Sequence, residues 1–266
     1  MTMLLGLAPV SPTMAQAPQR VVTVNLCLDL MALRLAAPGQ LVGVSSLSHQ
    51  PGLSVLADQA RTVAAVRPAA ESILDLRPDL VIFDQGTHAG VKRLLRQAGV
   101  PILEVPFATS LEETEPLIER MATALGREDE GRRLIDEMRT ARQALVWNKS
   151  PVATAIALQA NRGTAGRGSL MDELLRLAGL RNLAAEWGMP AFGRLSLETI
   201  LAGQPDMLVV DGESNADPAR ATELVEHQAL KALAGRARIV SVPMRTQICA
   251  GPENFEVLRL LAEARP

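Results

Sequence analysis

A segment that occurs twice constrains this chain more than anything else in it. Glu71-Ser72-Ile73-Leu74-Asp75-Leu76-Arg77-Pro78-Asp79-Leu80-Val81-Ile82-Phe83-Asp84 lies over Glu198-Thr199-Ile200-Leu201-Ala202-Gly203-Gln204-Pro205-Asp206-Met207-Leu208-Val209-Val210-Asp211, with Glu, Ile, Leu, Pro, Asp and the closing Asp at identical offsets. Each copy reads as a short helix carrying Glu on an exposed face, a Pro-Asp turn that stops it, and a buried strand ending in Asp. Proline is the stop because it disfavours the helical backbone at the residue before it. Pro-Asp turns are common between helices and strands. The duplicated Glu is not explained that way, since burial does not require it.

The rest of the chain follows the same grammar. Apolar, β-branched runs at 21–25, 41–46, 80–84 and 102–106 alternate with helix-periodic stretches, and a second set follows at 152–160, 207–211 and 239–243. Buried parallel strands separated by helices read this way. The 266 residues suffice for two lobes with cores of their own. Between the two sets, Ser110-Leu111-Glu112-Glu113 resembles a capping box and opens a helix that Gly126 interrupts. A further helix is predicted from about Glu128 to Trp147, with Leu134, Met138, Ala141 and Leu145 along one face. The expected fold class is therefore α/β, with two Rossmann-like lobes joined by one long interdomain helix. The first lobe is expected over 18–126, the linking helix over 127–150 and the second lobe over 151–266. No Gly/Ser linker separates the lobes, so any opening between them should be small.

Composition removes several function classes. Hydrophobic residues at 48% and charged residues at 21% describe an ordinary globular chain. A net charge of -2 with no basic block leaves no phosphate-backbone footprint, and nucleic acid is not expected as a partner. Four Phe, two Trp and no Tyr leave few stacking platforms and no phenolate to ligate a haem iron. Met3 to Val10 form a short apolar run followed by Ala15-Gln16-Ala17, a small-x-small pattern like a signal-peptidase site, so residues 1–17 are read as a signal segment of a periplasmic protein.

The repeat and the strand runs resemble the helical-backbone substrate-binding proteins of ATP-binding-cassette importers that take up metal chelates such as ferric siderophores, haem and cobalamin. The likeness runs from Arg20-Val-Val-Thr-Val-Asn25 through both Glu-x-Ile-Leu-x-x-x-Pro-Asp units to Ile239-Val-Ser-Val-Pro243. It implies a monomer that performs no chemistry, holds no resident cofactor, and delivers a small-molecule chelate to a permease dimer. In that family each lobe presents one surface Glu to permease arginines, and Glu71 and Glu198 fall on those positions. A pseudo-twofold protein meeting a twofold permease has a physical reason to carry the same charge on both halves.

Ligands of α/β folds sit beyond the carboxyl ends of the strands, which marks the candidate cleft. The first-lobe candidates are Asn25, Cys27 and Asp29 after the first strand, His49 after the second, His88 after the third, and Phe107. The second lobe offers Arg162, Arg167, Trp187, Phe192, Arg245 and Cys249. One or two of the arginines are expected in the cleft, where a guanidinium fork suits an anionic chelate. The two cysteines, one per lobe, leave three readings open: a disulfide across the cleft, a pair of thiolates that with His49 and His88 could hold a soft metal, or two independent thiols. A bare-zinc receptor would want more imidazoles, and His227 lies away from the mouth. A chelatase-like tetrapyrrole enzyme of similar architecture is the remaining alternative. No Gly-x-Ser-x-Gly elbow and no phosphate loop ending in Lys-Ser/Thr supports a hydrolase or nucleotidase.

Overall fold

The computed structural model describes residues 16–159, 162–212 and 236–265. Its first lobe runs β1 (Val21–Thr23), α1 (Leu26–Leu35), β2 (Leu41–Ser45), α2 (Ala57–Ala60), β3 (Ala64–Val66), α3 (Ala70–Leu74), β4 (Leu80–Asp84), α4 (Ala89–Gln97) and β5 (Ile102–Val105). These strands form a parallel sheet of order β3-β2-β1-β4-β5. The second lobe runs β6 (Ala153–Leu158), β7 (Gly163–Thr164), α7 (Leu170–Leu177), β8 (Leu180–Asn182), α8 (Leu183–Glu186), β9 (Gly193–Arg194), α9 (Leu197–Gly203), β10 (Met207–Asp211), β11 (Arg238–Val242) and a last helix, α10 (Asn254–Ala264). Among the described residues its sheet is parallel with order β11-β10-β6-β8, and β7 and β9 form a small antiparallel ribbon. The fold is α/β in two lobes, as the strand grammar predicts.

The repeat folds as the same unit twice. α3 leads to β4 and α9 leads to β10, and each of those strands pairs with the first strand of its lobe, β1 or β6. The repeated Asp does more than turn the chain. Asp79 accepts from the backbone N–H groups of Gln19 and Arg20 at 2.7 and 2.8 Å, and Asp206 accepts from the N–H and hydroxyl of Thr154 at 2.8 and 2.7 Å. In both lobes the turn aspartate thus secures the segment entering the neighbouring strand, whose first donors the ladder leaves free. A second correspondence appears one strand further on. Val105-Pro106-Phe107 after β5 matches Val242-Pro243-Met244 after β11, and Asp84 and Asp211 stand opposite Val105 and Val242 in register.

Two helices join the lobes. α5 (Leu111–Leu125) packs along α1, ends at left-handed Gly126, and gives way to α6 (Glu128–Leu145), which packs along α10. The Ser110 hydroxyl accepts from Glu113 N–H as a capping box requires, while the Glu113 carboxylate returns to Thr109 rather than to Ser110. α6 is the crossing element. At its start the Arg127 guanidinium donates to the Leu35 carbonyl of the first lobe, and just past its end Trp147 N–H donates to Leu177 of the second. Its eighteen residues span about 27 Å. A continuous apolar core runs beneath this layer from Val21 and Ile82 through Ile118 and Ile135 to Leu174 and Leu258, so the lobes do not part along a polar plane.

The short strands β3, β8 and the β7–β9 ribbon are absent from the sequence reading because Ala64-Ala65-Val66 and two- or three-residue runs carry no periodicity. The first strand stops at Thr23, not Asn25, since Asn25 is taken as the N-cap of α1. Among the described residues no helix is long and apolar enough to cross a membrane.

Candidate functional site

The carboxyl edges of the two sheets face one seam, and a cavity of about 160 Å³ lies in it. The first lobe contributes Phe107, Ala108 and Thr109 from the loop after β5. The second contributes Gln159 after β6, the 165–171 turn into α7, Ala191 and Phe192, and Gln247, Ile248 and Ala250 after β11. Phe107 is 49% exposed and Phe192 81% exposed, one aromatic rim residue from each lobe. The described lining holds no carboxylate, guanidinium, imidazole, phenol or thiol. Its polar groups are the neutral ones of Thr109, Gln159, Ser169 and Gln247.

Local packing sets that lining. A Cβ on Gly166 would lie 2.3 Å from the Met189 carbonyl oxygen, so only glycine lets the 165–168 loop press against the 189–190 loop that carries Phe192 outward. Ser169 caps α7 by accepting from Asp172 N–H and also donates to Gly166, which holds Leu170 and Met171 toward the seam. Asn254, fully buried at the start of α10, donates to the carbonyls of Thr246 and Cys249 and accepts from Gly251 N–H, fixing the loop that bears Gln247 and Ile248.

Of the twelve cleft candidates, Phe107 and Phe192 reach the cavity wall. Cys27 and Cys249 are joined as a disulfide, with Cα atoms 5.3 Å apart, directly behind Ile248 and Ala250. This excludes both the free-thiol reading and thiolate ligation. Asn25 uses its side chain to accept from Cys27 N–H and start α1. Asp29 is fully buried under that helix, where Thr23, Ser45 and Ser48 hydroxyls and the Ser45 N–H all donate to it. Burial raises its carboxyl above the ordinary range and these bonds partly offset that. It braces α1 against β1 and β2 and offers a ligand nothing.

The basic candidates also stand elsewhere. His49 donates from Nε2 to the Val63 carbonyl at 3.1 Å, and exposed His88 opens α4 in a left-handed conformation with its ring 6.1 Å from Phe83. Among the described residues no group of three or more His, Cys, Asp and Glu stands together to hold a metal ion; His227 lies outside the described residues. Arg162 stands beside Glu198, whose carboxyl is held below its ordinary range first by its own backbone N–H, then by the Ser196 hydroxyl and then by Arg162. Arg167 follows the α8 end, donating to Ala185. Trp187 lies over Gly203 at the end of α9, the end of the second lobe away from the seam. Arg245 borders a separate open groove against residues 51–59 of the first lobe. The neutral lining of Gln159, Ser169, Gln247 and Ile248 is missing from the candidate set because it carries no charge or metal-ligand chemistry to single it out. Glu71 and Glu198 are both exposed in the first turns of α3 and α9.

Two parallel α/β lobes joined by a crossing helix, with a mostly apolar cavity between their carboxyl edges, make this a two-lobed ligand-binding protein. The chain belongs to the periplasmic binding protein family, whose model matches residues 21–239. It is 22% identical over 264 residues to the uncharacterized ABC transporter substrate-binding lipoprotein YvrC of Bacillus subtilis, covering 95% of this chain and 81% of that one. It is 25% identical over 222 residues to a cobalamin-binding protein of Halobacterium salinarum, covering 80% of this chain and 59% of that protein's length. Among solved structures, the periplasmic heme-binding protein RhuT of Roseiflexus sp. RS-1 in apo form superposes with a TM-score of 0.75 at 25% identity, covering 92% of this chain and 98% of that one. The family is one of transport binding proteins rather than enzymes.

Proposed function

We propose that this chain is the extracytoplasmic receptor of an ABC importer, that it carries a metal chelate of the corrinoid class, and that it catalyses no reaction. The observation that carries the ligand class is the lining of the seam cavity. An anionic ferric siderophore asks for guanidinium or ammonium partners, and the arginines expected for that role stand beside Glu198, along α8 and in the groove facing residues 51–59. Haem asks for an axial ligand, and the described lining has neither imidazole nor phenol, its one ligating group being the thioether of buried Met171. A corrinoid whose metal is already coordinated needs apolar faces and neutral hydrogen-bonding groups, which Phe107, Phe192, Ile248, Gln159 and Gln247 supply. The chelatase alternative has no corresponding feature in its favour here. Residues 1–17 act as the secretion signal in this reading, and Glu71 and Glu198 dock on the permease dimer.

Native mass spectrometry of the mature protein titrated with cyanocobalamin, haem, a tris-catecholate ferric siderophore and free zinc tests the reading. A 1:1 cyanocobalamin complex, weakened about tenfold or more by Phe192→Ala, is the expected outcome. Retention of the siderophore or of zinc in place of cyanocobalamin overturns it.

A further inference from the structure

We infer that the Cys27–Cys249 disulfide is a redox-breakable clamp that limits how far the binding seam opens, and so sets the rate of ligand exchange. The bond joins the first turn of α1 in one lobe to the loop before α10 in the other, across 222 residues of sequence. A second link crosses the seam on the same two elements. Arg34, in the last turn of α1, pairs with buried Glu253 at 3.1 Å, so α1 is held to the 249–253 loop at both of its ends.

Neither anchor can absorb motion by bending. On the first-lobe side α1 is tied to β1 and β2 through Asp29, and on the second-lobe side the loop is braced internally by Asn254. Opening the seam therefore requires one rigid body to leave another, and a covalent bond forbids that where Cys249 underlies the cavity wall. The cavity matters to the consequence. About 160 Å³ is below the roughly 300–1,000 Å³ of pockets that enclose small-molecule ligands, so a chelate must widen the seam or remain at the rim set by Phe107 and Phe192. With the bond intact widening is confined to the rim. With it broken, the Cys27 end of α1 can leave the 249–253 loop and the seam can widen there, while the Arg34–Glu253 pair and the shared apolar core still hold the lobes together.

A dithiol opens the clamp with no other reagent. One of its thiolates attacks a disulfide sulfur, on the side of half-buried Cys27, and displaces the partner sulfur as thiolate. Its second thiolate then closes the reagent's own disulfide, and Cys27 and Cys249 are left as thiols holding the two protons. Cys249 is 2% exposed, so the bond is reached from one side only.

Hydrogen exchange of the whole protein, oxidised and after treatment with dithiothreitol, tests the clamp without a ligand. Reduction is expected to speed amide exchange about tenfold or more at 107–109, 165–171 and 246–250 while β4 and β10 stay unchanged. Cys27→Ser/Cys249→Ser should reproduce the pattern without reductant. No change at the seam, or an equal rise in the seam and both sheets, overturns the clamp, the latter because the bond then only stabilises the fold. The ligand-exchange consequence rests on the corrinoid reading and is followed with cyanocobalamin, whose association should quicken in the reduced protein. Failure to bind either form sinks that reading and leaves the clamp to the exchange data, whereas equal rates in both forms sink the exchange role.

Discussion

The two lobes perform one task with different chemistry. In the first lobe the element next to the seam, α1, is held by a buried carboxylate that four donors surround. In the second, the corresponding loop is held by the neutral amide of Asn254 with two acceptors and one donor. Away from the seam, Asp79 and Asp206 make nearly the same tether at nearly the same distances. Symmetry is thus kept at the base of each sheet, where the entering strand must be secured, and abandoned at the carboxyl edges, where each lobe meets its opposite. A buried ion stiffens by demanding every donor around it and titrates where an amide cannot; on the second-lobe side the titrating group at the seam is Glu253, whose carboxyl burial raises and Arg34 partly offsets.

The largest effect expected from the shared features is on transport. If both lobes dock alike, Glu71→Ala and Glu198→Ala each lower uptake by similar factors, and the double variant loses about tenfold or more with ligand affinity unchanged. Unequal singles would show that the symmetry of the repeat does not extend to docking. For stability, Asp29→Ala strands four buried donors and should cost about 4 kcal/mol by urea unfolding, against about 2 kcal/mol for Asn254→Ala. Equal losses would dissolve the contrast between carboxylate and amide.

Acid should separate Asp29 and Asp206 by sign. Asp29 sits above its unfolded value of 3.8 because of burial, so the native state binds its proton more tightly. Relative to Asp29→Asn, the wild-type protein should gain stability as the pH falls from neutral toward 3.8. Asp206 is held below 3.8 by the Thr154 N–H and then its hydroxyl, so its advantage over Asp206→Asn is present above 3.8 and fades as the pH falls below it. Slopes of opposite sign in urea titrations, above 3.8 for Asp29 and below 3.8 for Asp206, are the expected result, and slopes of the same sign in the two windows would count against it. The smallest effect belongs to the tethers: Asp79→Asn and Asp206→Asn should each cost about 1 kcal/mol, equal within error.

Much of the fold was legible because parallel strands buried on both faces write themselves as apolar runs, and because the Glu-to-Asp unit repeats. β4 and β10 occupy the residues expected of them. Of the residues singled out from the sequence as cleft candidates, Phe107 and Phe192 are the ones that line the seam cavity. Charged residues drew attention by type, yet Asp29 is consumed inside its lobe, Arg162 by its proximity to Glu198, and Trp187 by packing over Gly203. Glutamine, serine and alanine in a lining leave no mark in sequence, since only the arrangement of loops from both lobes makes them a surface. The pairing of the two cysteines was one of three open readings, because strand order and lobe contact, not spacing, bring Cys27 to Cys249.

That bond also changes what a backbone cut does to the molecule. Cys27 and Cys249 close a covalent ring that takes in the crossing helix and, among the described residues, every strand of the two lobes but β1. A protease that severs one peptide bond inside the ring linearises it without releasing a fragment, and the two pieces migrate as one band until a reductant is added. Damage to any loop of the ring is therefore held in place, with the severed ends still packed in their lobes.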